Sequence, residues 1–308
     1  MKPNDARTNE PTVLVVGESL IDIVTGQSGK RTIHPGGSPL NVAVGLARLE
    51  VPTELATRIG DDPHGELISN HLADAGVTLQ AGSRGAVRTS TAHASIEADG
   101  SATYDFDIGW DLQELHVEAP LVVHTGSLAT ILEPVASRID DALRRLPAKT
   151  LITFDPNIRP SLAPPRETTQ ARVENFASLA HIVKMSEEDA AWLYPDTEPR
   201  VLAERFASLG VQLFVLTRAE RGCMVASPNS LRHLPAEPVA VVDTIGAGDA
   251  FMSGLIYEAT RSGAASQLTT KAVQEDLIDA CAHTALRSAA ITVSRAGANP
   301  PNRHELAK

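Results

Sequence analysis

The chain has 308 residues, a length that suits one large domain or two ordinary ones. Its hydrophobic content of 43% and charged content of 21% are typical of a soluble globular enzyme. The formal net charge of −11 argues against a nucleic-acid backbone or an anionic lipid surface as the partner. A chain this acidic binds a nucleotide only by gathering local positive potential from glycine-rich loops, basic side chains or Mg²⁺.

Cysteine usage and hydropathy predict a cytoplasmic protein without a membrane partner. Cys223 and Cys281 lie far apart in no paired spacing, so neither a disulfide framework nor a zinc site is expected. Residues 1–11 are polar and lack the apolar stretch of a secretory signal. No segment of the sequence approaches the roughly 20 apolar residues that a membrane-spanning helix needs.

Short apolar runs alternate with helical patterns along the chain. The predicted strands are, in order, residues 12–16, 53–59, 120–124, 150–154, 181–185 and 211–217. The predicted helices are residues 40–49, 134–146, 166–179 and 250–259. This alternation predicts βαβ units around a mostly parallel sheet, whose ligands gather at the carboxyl ends of the strands.

Two segments depart from this rhythm and predict a smaller sheet that projects from the α/β body. Residues 22–34 and 89–106 alternate apolar and polar side chains, the second around a turn at residues 98–101. Residues 26–32 superficially suggest a phosphate-binding P-loop, but Val24 stands where its first glycine should be and Arg31 follows the lysine. We therefore interpret residues 26–32 as a hairpin turn of the small sheet.

The segment 243–251 carries the clearest chemical signal. Two glycines flank Ala247 just before an apolar helical pattern, which brings bare backbone N–H groups to a helix N-terminus, where an anion is favoured. An acid here, Asp249, would repel that anion if its role were structural. It suits a base that accepts a proton from a hydroxyl beside a phosphate. The alternative interpretation of Asp249 is an ordinary helix N-cap.

Residues 243–249, Asp-Thr-Ile-Gly-Ala-Gly-Asp, resemble the second signature of the ribokinase-like (PfkB) sugar kinases. Residues 35–43, Pro-Gly-Gly-Ser-Pro-Leu-Asn-Val-Ala, resemble the N-terminal signature of that family. The resemblance covers about residues 12–301. It implies a single kinase domain over residues 1–308, folded as a three-layer α/β/α sandwich with a mostly parallel sheet. It further implies a small antiparallel β lid, from about residues 18–35 and 87–108, which covers the sugar site and pairs two subunits into a homodimer.

The resemblance assigns the chemistry to the second signature. Asp249 becomes the general base that deprotonates a sugar hydroxyl. Charge on the transferred phosphoryl group would be stabilised by the backbone amides of Gly246, Ala247 and Gly248. The substrates implied are a small-molecule sugar and ATP, with Mg²⁺ as the cofactor.

The resemblance also implies a sugar site. Its candidate residues are Asp22, Gly36, Gly37, Asn41 and Arg159. A carboxylate commonly binds a polyol by accepting hydrogen bonds from two of its hydroxyls. Asn41 offers both a donor and an acceptor to a sugar hydroxyl. Arg159 ends a segment that resembles the family's Asp-x-Asn-x-Arg element, where it would meet a phosphate or a substrate carboxylate. Without the resemblance, Asp22 and Arg159 would be solvated charges in loops.

The nucleotide site is implied by looser matches. Residues 217–222 resemble the family's Thr-x-Gly-x-x-Gly phosphate turn, but the first glycine is replaced, nearest by Ala219 or Arg218. The candidate ATP ligands are Lys184, Thr217, Gly222, Gly246 and Gly248.

Two candidate metal sites come from the same resemblance. Ser186 and Asp189 take the places of the family's Asn-x-x-Glu, an element linked to magnesium through water, whereas an acidic helix start is the alternative. Asp243 and Ile245 stand where many relatives hold a monovalent cation, which makes K⁺ a further candidate beside ordinary turn chemistry. Residues 295–298 resemble a segment that packs beside that loop.

These expectations together describe an ATP-dependent sugar kinase. Residues 17–18, 36–41 and 154–160 are most similar to bacterial fructokinases, so fructose is the substrate that the resemblance implies. A 2-keto-3-deoxygluconate kinase and a ribokinase remain alternatives. A non-catalytic sugar-binding or nucleotide-binding regulatory protein on the same scaffold is the alternative from another functional class.

Overall fold

Two sheets organise the computed structural model, which describes residues 13–26, 30–96, 102–109, 111, 115 and 120–308. The strands within these residues are β1 (Val13–Val16), β2 (Leu20–Thr25), β3 (Arg31–Gly36), β4 (Thr53–Ala56), β5 (Thr78–Leu79), β6 (Ser90–Ile96), β7 (Ala102–Asp107), β8 (Val122–Gly126), β9 (Leu151–Asp155), β10 (Ile182–Ser186), β11 (Leu213–Thr217), β12 (Cys223–Ser227) and β13 (Ser230–Leu234). The helices are α1 (Ser38–Arg48), α2 (Pro63–Ala75), α3 (Val135–Arg144), α4 (Arg166–Leu179), α5 (Glu187–Leu193), α6 (Pro199–Ser208), α7 (Ala247–Arg261), α8 (Ala264–Thr269), α9 (Glu275–Val293) and α10 (Arg303–Leu306).

The larger sheet has nine strands in the order β13-β12-β11-β10-β9-β8-β1-β4-β5. Neighbours from β11 to β5 pair in parallel, whereas β12 and β13 add an antiparallel edge. Parallel pairing places the carboxyl ends of β1, β8, β9, β10 and β11 along one edge, where ligands gather in such sheets.

Alternating side chains of the large sheet feed two separate hydrophobic layers. Val13 and Val15 of β1 pack in the layer that contains α1, α2, α7, α8 and α9. Leu14 and Val16 pack in the layer that contains α3, α4, α5 and α6. Because a strand directs successive side chains to opposite faces, this division is what two covered faces require. The predicted three-layer α/β/α sandwich is confirmed.

All six predicted strands are present as β1, β4, β8, β9, β10 and β11, with ends displaced by up to three residues; Thr12 lies outside the described residues. The predicted helices correspond to α1, α3, α4 and α7. Helix α7 starts at Ala247, three residues before the predicted start, because Gly246 adopts a left-handed φ of 75° as its N-cap and the helix includes Gly248. Asp249 therefore lies inside the first turn of α7.

The predicted smaller sheet is present and has the order β3-β2-β6-β7. Its outer pairs, β2 with β3 and β6 with β7, are antiparallel hairpins, and the two hairpins meet through a parallel β2–β6 pair. Of the hairpin turn predicted at residues 26–32, residues 27–29 lie outside the described residues, and the N–H of Gly26 donates to the carbonyl of Lys30. The turn predicted at residues 98–101 lies outside the described residues. Among the helices that are described, none is both long enough and apolar enough to cross a membrane.

Candidate functional site

Asp249 lies at the centre of the candidate site, buried in the first turn of α7. Its Oδ1 accepts a hydrogen bond from Ser38 Oγ at 2.6 Å, and its Oδ2 accepts one from Asn41 Nδ2 at 2.8 Å. Burial raises the pKa of Asp249, whereas these two hydrogen bonds and the charges of Lys184 and Arg159 lower it. The structure thus joins the two sequence signatures, which lie about 200 residues apart, on one carboxylate.

The Gly-Gly pair of the first signature brings α1 close to the end of β1. Gly37 is the N-cap of α1 with a φ of 109°, and a Cβ at this position would lie 2.7 Å from the carbonyl oxygen of Glu18. Only glycine meets both the conformation and the close approach without strain. Helix α1 consequently starts at Ser38, which places Ser38 and Asn41 one turn apart and facing Asp249.

The loop before α7 is held in place by Asp243. Its carboxylate accepts from the N–H of Ile245 at 3.0 Å and from the N–H of Gly297 at 2.8 Å, and these bonds lower the pKa of Asp243. A Cβ on Gly246 would lie 2.6 Å from Ala298 Cβ. The prediction that residues 295–298 pack beside this loop is confirmed.

The three predicted anion-binding amides are not equivalent. The N–H of Ala247 donates to the carbonyl of Thr244 at 3.2 Å, so it closes the turn before the helix. Gly248 is the second residue of α7, and helix geometry leaves an N–H at this position without an intrahelical acceptor. The N-terminus of α7 therefore offers an anion site centred on Gly248.

Two of the predicted sugar ligands, Asp22 and Gly36, lie against each other in the lid sheet. Asp22 is half-buried on β2, and a Cβ on Gly36 would lie 2.0 Å from its Oδ2, so the carboxyl lies directly against bare backbone. Burial raises the pKa of Asp22, while Arg159 and His34 lower it.

Arg159 is exposed and donates to Asn157 Oδ1 at 2.8 Å and to the carbonyl of Ile158 at 3.1 Å. Its charge lowers the pKa values of Glu18, Asp22 and Asp249, three acids that burial shifts the other way. Arg159 is therefore a solvent-facing cation that acts on three acids of the site, Glu18, Asp22 and Asp249.

Lys184 is buried in the middle of β10. Its Nζ lies 2.8 Å from Asp155 Oδ2, and a Cβ on Gly248 would lie 2.9 Å from the same Nζ. Burial lowers the pKa of Lys184, but the negative charges of Asp155, Asp189 and Asp249 raise it by more. The pKa is therefore above its ordinary value, and the ammonium stays protonated. The structure thus places Lys184 behind the α7 turn, and direct contact between Lys184 and ATP stays a prediction.

The predicted phosphate turn follows β11. Gly222 has a φ of 80°, and a Cβ there would lie 2.0 Å from the carbonyl oxygen of Leu234. Ala219 has a φ of 47°, so it is Ala219 that adopts the left-handed conformation of the missing glycine. Thr217 ends β11, half-buried, with its Oγ1 3.4 Å from the carbonyl oxygen of Met185. The turn keeps its backbone shape despite the substitution.

Asp189 caps a helix in this structure. Its Oδ2 accepts from both the N–H and the Oγ of Ser186, at 3.1 and 2.6 Å, in a capping box at the start of α5. Its Oδ1 accepts from the N–H of Ile158 at 2.7 Å. Both oxygens accept hydrogen bonds from protein donors, as they do in Asp243, so each acid already has a structural role in its loop. Throughout the described residues, no group of three or more His, Cys, Asp or Glu side chains is arranged to hold one.

Two residues that the structure places in the site, Ser38 and Asp155, were not among the predicted site residues. Ser38 stands within the first signature, between Gly37 and Pro39, and its position at the start of α1 was the signal that could have identified it. In the sequence, Asp155 is only the first residue of the Asp-x-Asn-x-Arg element that ends at Arg159. The ion pair can be recognised only from the register of β9 and β10. That register pairs Phe154 with Val183 and so places Asp155 beside Lys184.

Comparison with known proteins agrees with this geometry. Residues 10–305 match the model described as pfkB family carbohydrate kinase. The chain belongs to this family. It is therefore a sugar kinase, a phosphotransferase, with the ribokinase-like fold. The chain is 31% identical over 279 residues to a fructokinase of Klebsiella pneumoniae, covering 87% of this chain and 91% of the relative. It is also 31% identical over 270 residues to a fructokinase of Salmonella typhimurium, covering 83% and 87%.

Solved structures of the pfkB-type kinases superimpose on nearly the whole chain. The fructokinase of Xylella fastidiosa with bound ATP gives a TM-score of 0.83 at 25% identity and covers 96% of this chain and 97% of that one. The fructokinase of Vibrio cholerae in a form that binds fructose, ADP and a calcium ion gives 0.82 at 27% identity, covering 96% and 98%.

Proposed function

We propose that this protein is an ATP-dependent fructokinase in which Asp249 is the general base. The observation that carries the proposal is the Asp249 carboxylate at the N-terminus of α7, held by Ser38 and Asn41 of the Gly-Gly signature. Fructose is supported as the sugar by the fructokinases among the relatives and by the fructose complex of the Vibrio cholerae enzyme. ATP is supported by the Xylella fastidiosa complex.

The geometry supports an in-line transfer. Asp22, Asn41 and the Gly36–Gly37 backbone would orient the sugar so that one hydroxyl faces Asp249. Asp249 accepts the hydroxyl proton as the oxygen attacks the γ-phosphorus, and the bond to the β-phosphate oxygen breaks. The amide of Gly248 and its neighbours stabilise the charge on the phosphoryl oxygens. Closure of the β2-β3-β6-β7 lid would exclude water and limit ATP hydrolysis.

Magnesium would enter with ATP and neutralise charge on the phosphates. Because Asp189 is occupied as a helix cap, we assign it at most an indirect role, through water. Asp243 and Ile245 remain the proposed monovalent-cation loop, which is supported by a Vibrio cholerae fructokinase variant solved with fructose, ADP and a potassium ion. Thr217 and Gly222, with the α7 turn, are the proposed nucleotide contacts.

We also propose a cytoplasmic homodimer that forms through the lid, with residues 1–308 as a single kinase domain. Strand β3 is one of the two outer strands of the lid sheet, its residues 31–34 are exposed, and Ile33 is 46% exposed. An exposed edge strand with an apolar side chain is suited to pairing with a second copy. The net charge of −11 is consistent with a small-molecule enzyme that has no nucleic-acid or membrane partner.

The test is ADP release from Mg·ATP with fructose, 2-keto-3-deoxygluconate or ribose, with and without K⁺. The proposal predicts turnover on fructose well above that on the other two compounds. Turnover on one of the others alone would contradict the assigned sugar but keep the kinase. A ligand-dependent rise in thermal stability without any ADP release would favour the non-catalytic binding protein.

A further inference from the structure

The Lys184–Asp155 ion pair is buried, and no step of the proposed transfer uses it. The side chains are 5% and 1% exposed, and their charged atoms lie 2.8 Å apart. A buried ion pair is weak evidence for stability, since the desolvation of both charges offsets most of their attraction. Asp155 Oδ1 accepts no hydrogen bond from any residue that the structure describes, so the ion pair leaves one carboxylate oxygen unsatisfied within that part of the chain. The Lys184–Asp155 pair is therefore better explained by a role other than stability.

The pair lies immediately behind the anion site. A Cβ on Gly248 would lie 2.9 Å from Lys184 Nζ, which is shorter than an ordinary contact, so a larger residue at this position would have to displace the ammonium. In a water-poor interior a charge acts more strongly and over a longer distance than in solvent. Lys184 thus sets a fixed positive charge beneath the amide that would meet the phosphoryl group.

The surrounding charges give that ammonium a clear role. Three acids act on it, from β9, α5 and α7: Asp155, Asp189 and Asp249. His124, on β8, is buried beside Thr153, and burial together with the charge of Lys184 lowers its pKa to about 3, so it is neutral. Lys184 consequently offsets a local excess of negative charge at the point where a triphosphate and an ionised base must meet.

We propose that Lys184, held in place by Asp155, is a positioning residue for phosphoryl transfer that acts through Gly248, in place of the direct contact with ATP that the sequence resemblance implied. This inference rests on the proposed kinase activity. The charge of Lys184 favours the ionised form of Asp249, which burial disfavours, and strengthens the anion site at the start of α7. The close approach of Lys184 also explains why Gly248, the second glycine of the Gly-Ala-Gly turn, lacks a side chain.

Three variants separate this role from a merely structural one. Lys184→Met removes the cation but leaves Asp155 unpaired, which endangers folding. The double variant Lys184→Met with Asp155→Asn removes both charges and so leaves no buried unpaired ion. Asp155→Asn alone keeps the ammonium and still offers it an amide oxygen. Lys271→Met, at an exposed loop position between α8 and α9, is the matched control.

We expect both Lys184 variants to lose about 10- to 100-fold in kcat for fructose phosphorylation, as electrostatic groups of an anion site typically cause. Asp155→Asn should retain most of the wild-type rate. The acidic limb of the pH profile of kcat/KM should move to higher pH in the Lys184 variants, because removal of a nearby cation favours protonated Asp249. A double variant with the wild-type rate and pH profile would overturn the proposal and leave the pair a structural one.

A second readout does not depend on the sugar. The titration of the Asp249 carboxyl in the ligand-free protein can be followed by carbon-13 NMR. The midpoint should be higher in the folded double variant than in Asp155→Asn, because these two proteins differ only in the ammonium, and it should stay unchanged in Lys271→Met. Equal midpoints in the double variant and Asp155→Asn would refute the role of Lys184 even if wild type is an active fructokinase. A wild-type protein that releases no ADP would refute the proposed function, and this titration would still decide the inference.

Discussion

Removal of the Ser38 hydroxyl should change how the reaction rate depends on pH. Ser38 Oγ donates to Asp249 Oδ1 at 2.6 Å, in a buried setting, whereas Asn41 holds the other carboxylate oxygen. A hydrogen bond to a charged group contributes about 1.5–3 kcal/mol. Because this bond favours the ionised carboxylate, Ser38→Ala adds to the upward shift that burial already imposes on the pKa of Asp249.

The base must be ionised to act, so the loss should depend on pH. At low pH we expect kcat/KM to fall by about 10- to 150-fold, since each 1.4 kcal/mol is a factor of ten. At high pH, where Asp249 is ionised in both proteins, the two rates should approach each other. The assay is steady-state ADP release with fructose over a pH series, and the acidic limb for Ser38→Ala should lie at higher pH.

Ser253→Ala is the matched control. Ser253 is fully buried on the same helix, one turn beyond Asp249, but its Oγ donates to the carbonyl of Ala250 at 3.0 Å and does not contact the base. Its removal should leave the pH profile in place. A loss in Ser38→Ala that is equal at every pH would refute the reasoning, because it would mean that Ser38 acts on the substrate and not on the ionisation of Asp249.

Three further substitutions test individual backbone positions. Ala219→Gly should raise the thermal midpoint in differential scanning calorimetry, because a left-handed conformation costs a non-glycine residue about 1–2 kcal/mol; an unchanged midpoint would contradict the strain. Gly222→Ala should lower that midpoint, since a Cβ there would lie 2.0 Å from the backbone oxygen of Leu234, and a protein as stable as wild type would show that the turn can relax. Gly36→Ala should raise the KM for fructose about tenfold with a smaller change in kcat, since its Cβ would displace Asp22; an unchanged KM would exclude Asp22 from the sugar site.

Much of the fold could be predicted because its signals are local. The runs that form β1, β8, β9, β10 and β11 are short, apolar and separated by helical patterns, so they indicate strands without any knowledge of their neighbours. The start of α7 was placed too late because glycine has a low helix propensity, whereas here Gly248 lies within the helix against Lys184. Tertiary packing overrode the local preference at that point.

The site could be predicted in part for the same reason. Asp249, Asn41 and the glycines belong to contiguous motifs, so they were visible in the sequence. The contact of Ser38 with Asp249 and the pairing of Lys184 with Asp155 depend on how separate elements pack, at sequence separations of 211 and 29 residues. The surroundings of Asp189 also depend on packing that the sequence does not show. Its two oxygens accept hydrogen bonds from Ser186 and Ile158, so they are less open to a metal than the motif implied.

The most direct test of the account is the turnover of Asp249→Ala on fructose and Mg·ATP, measured beside wild type at a pH where the wild-type rate is maximal. Loss of the general base should lower kcat by about 100- to 10,000-fold. Fructose should still bind through Asp22 and Asn41, which isothermal titration calorimetry can verify in the same preparation. Near-wild-type turnover in Asp249→Ala would contradict the account, because Asp249 is the acid of the second signature that Ser38 and Asn41 of the first signature hold at the anion site.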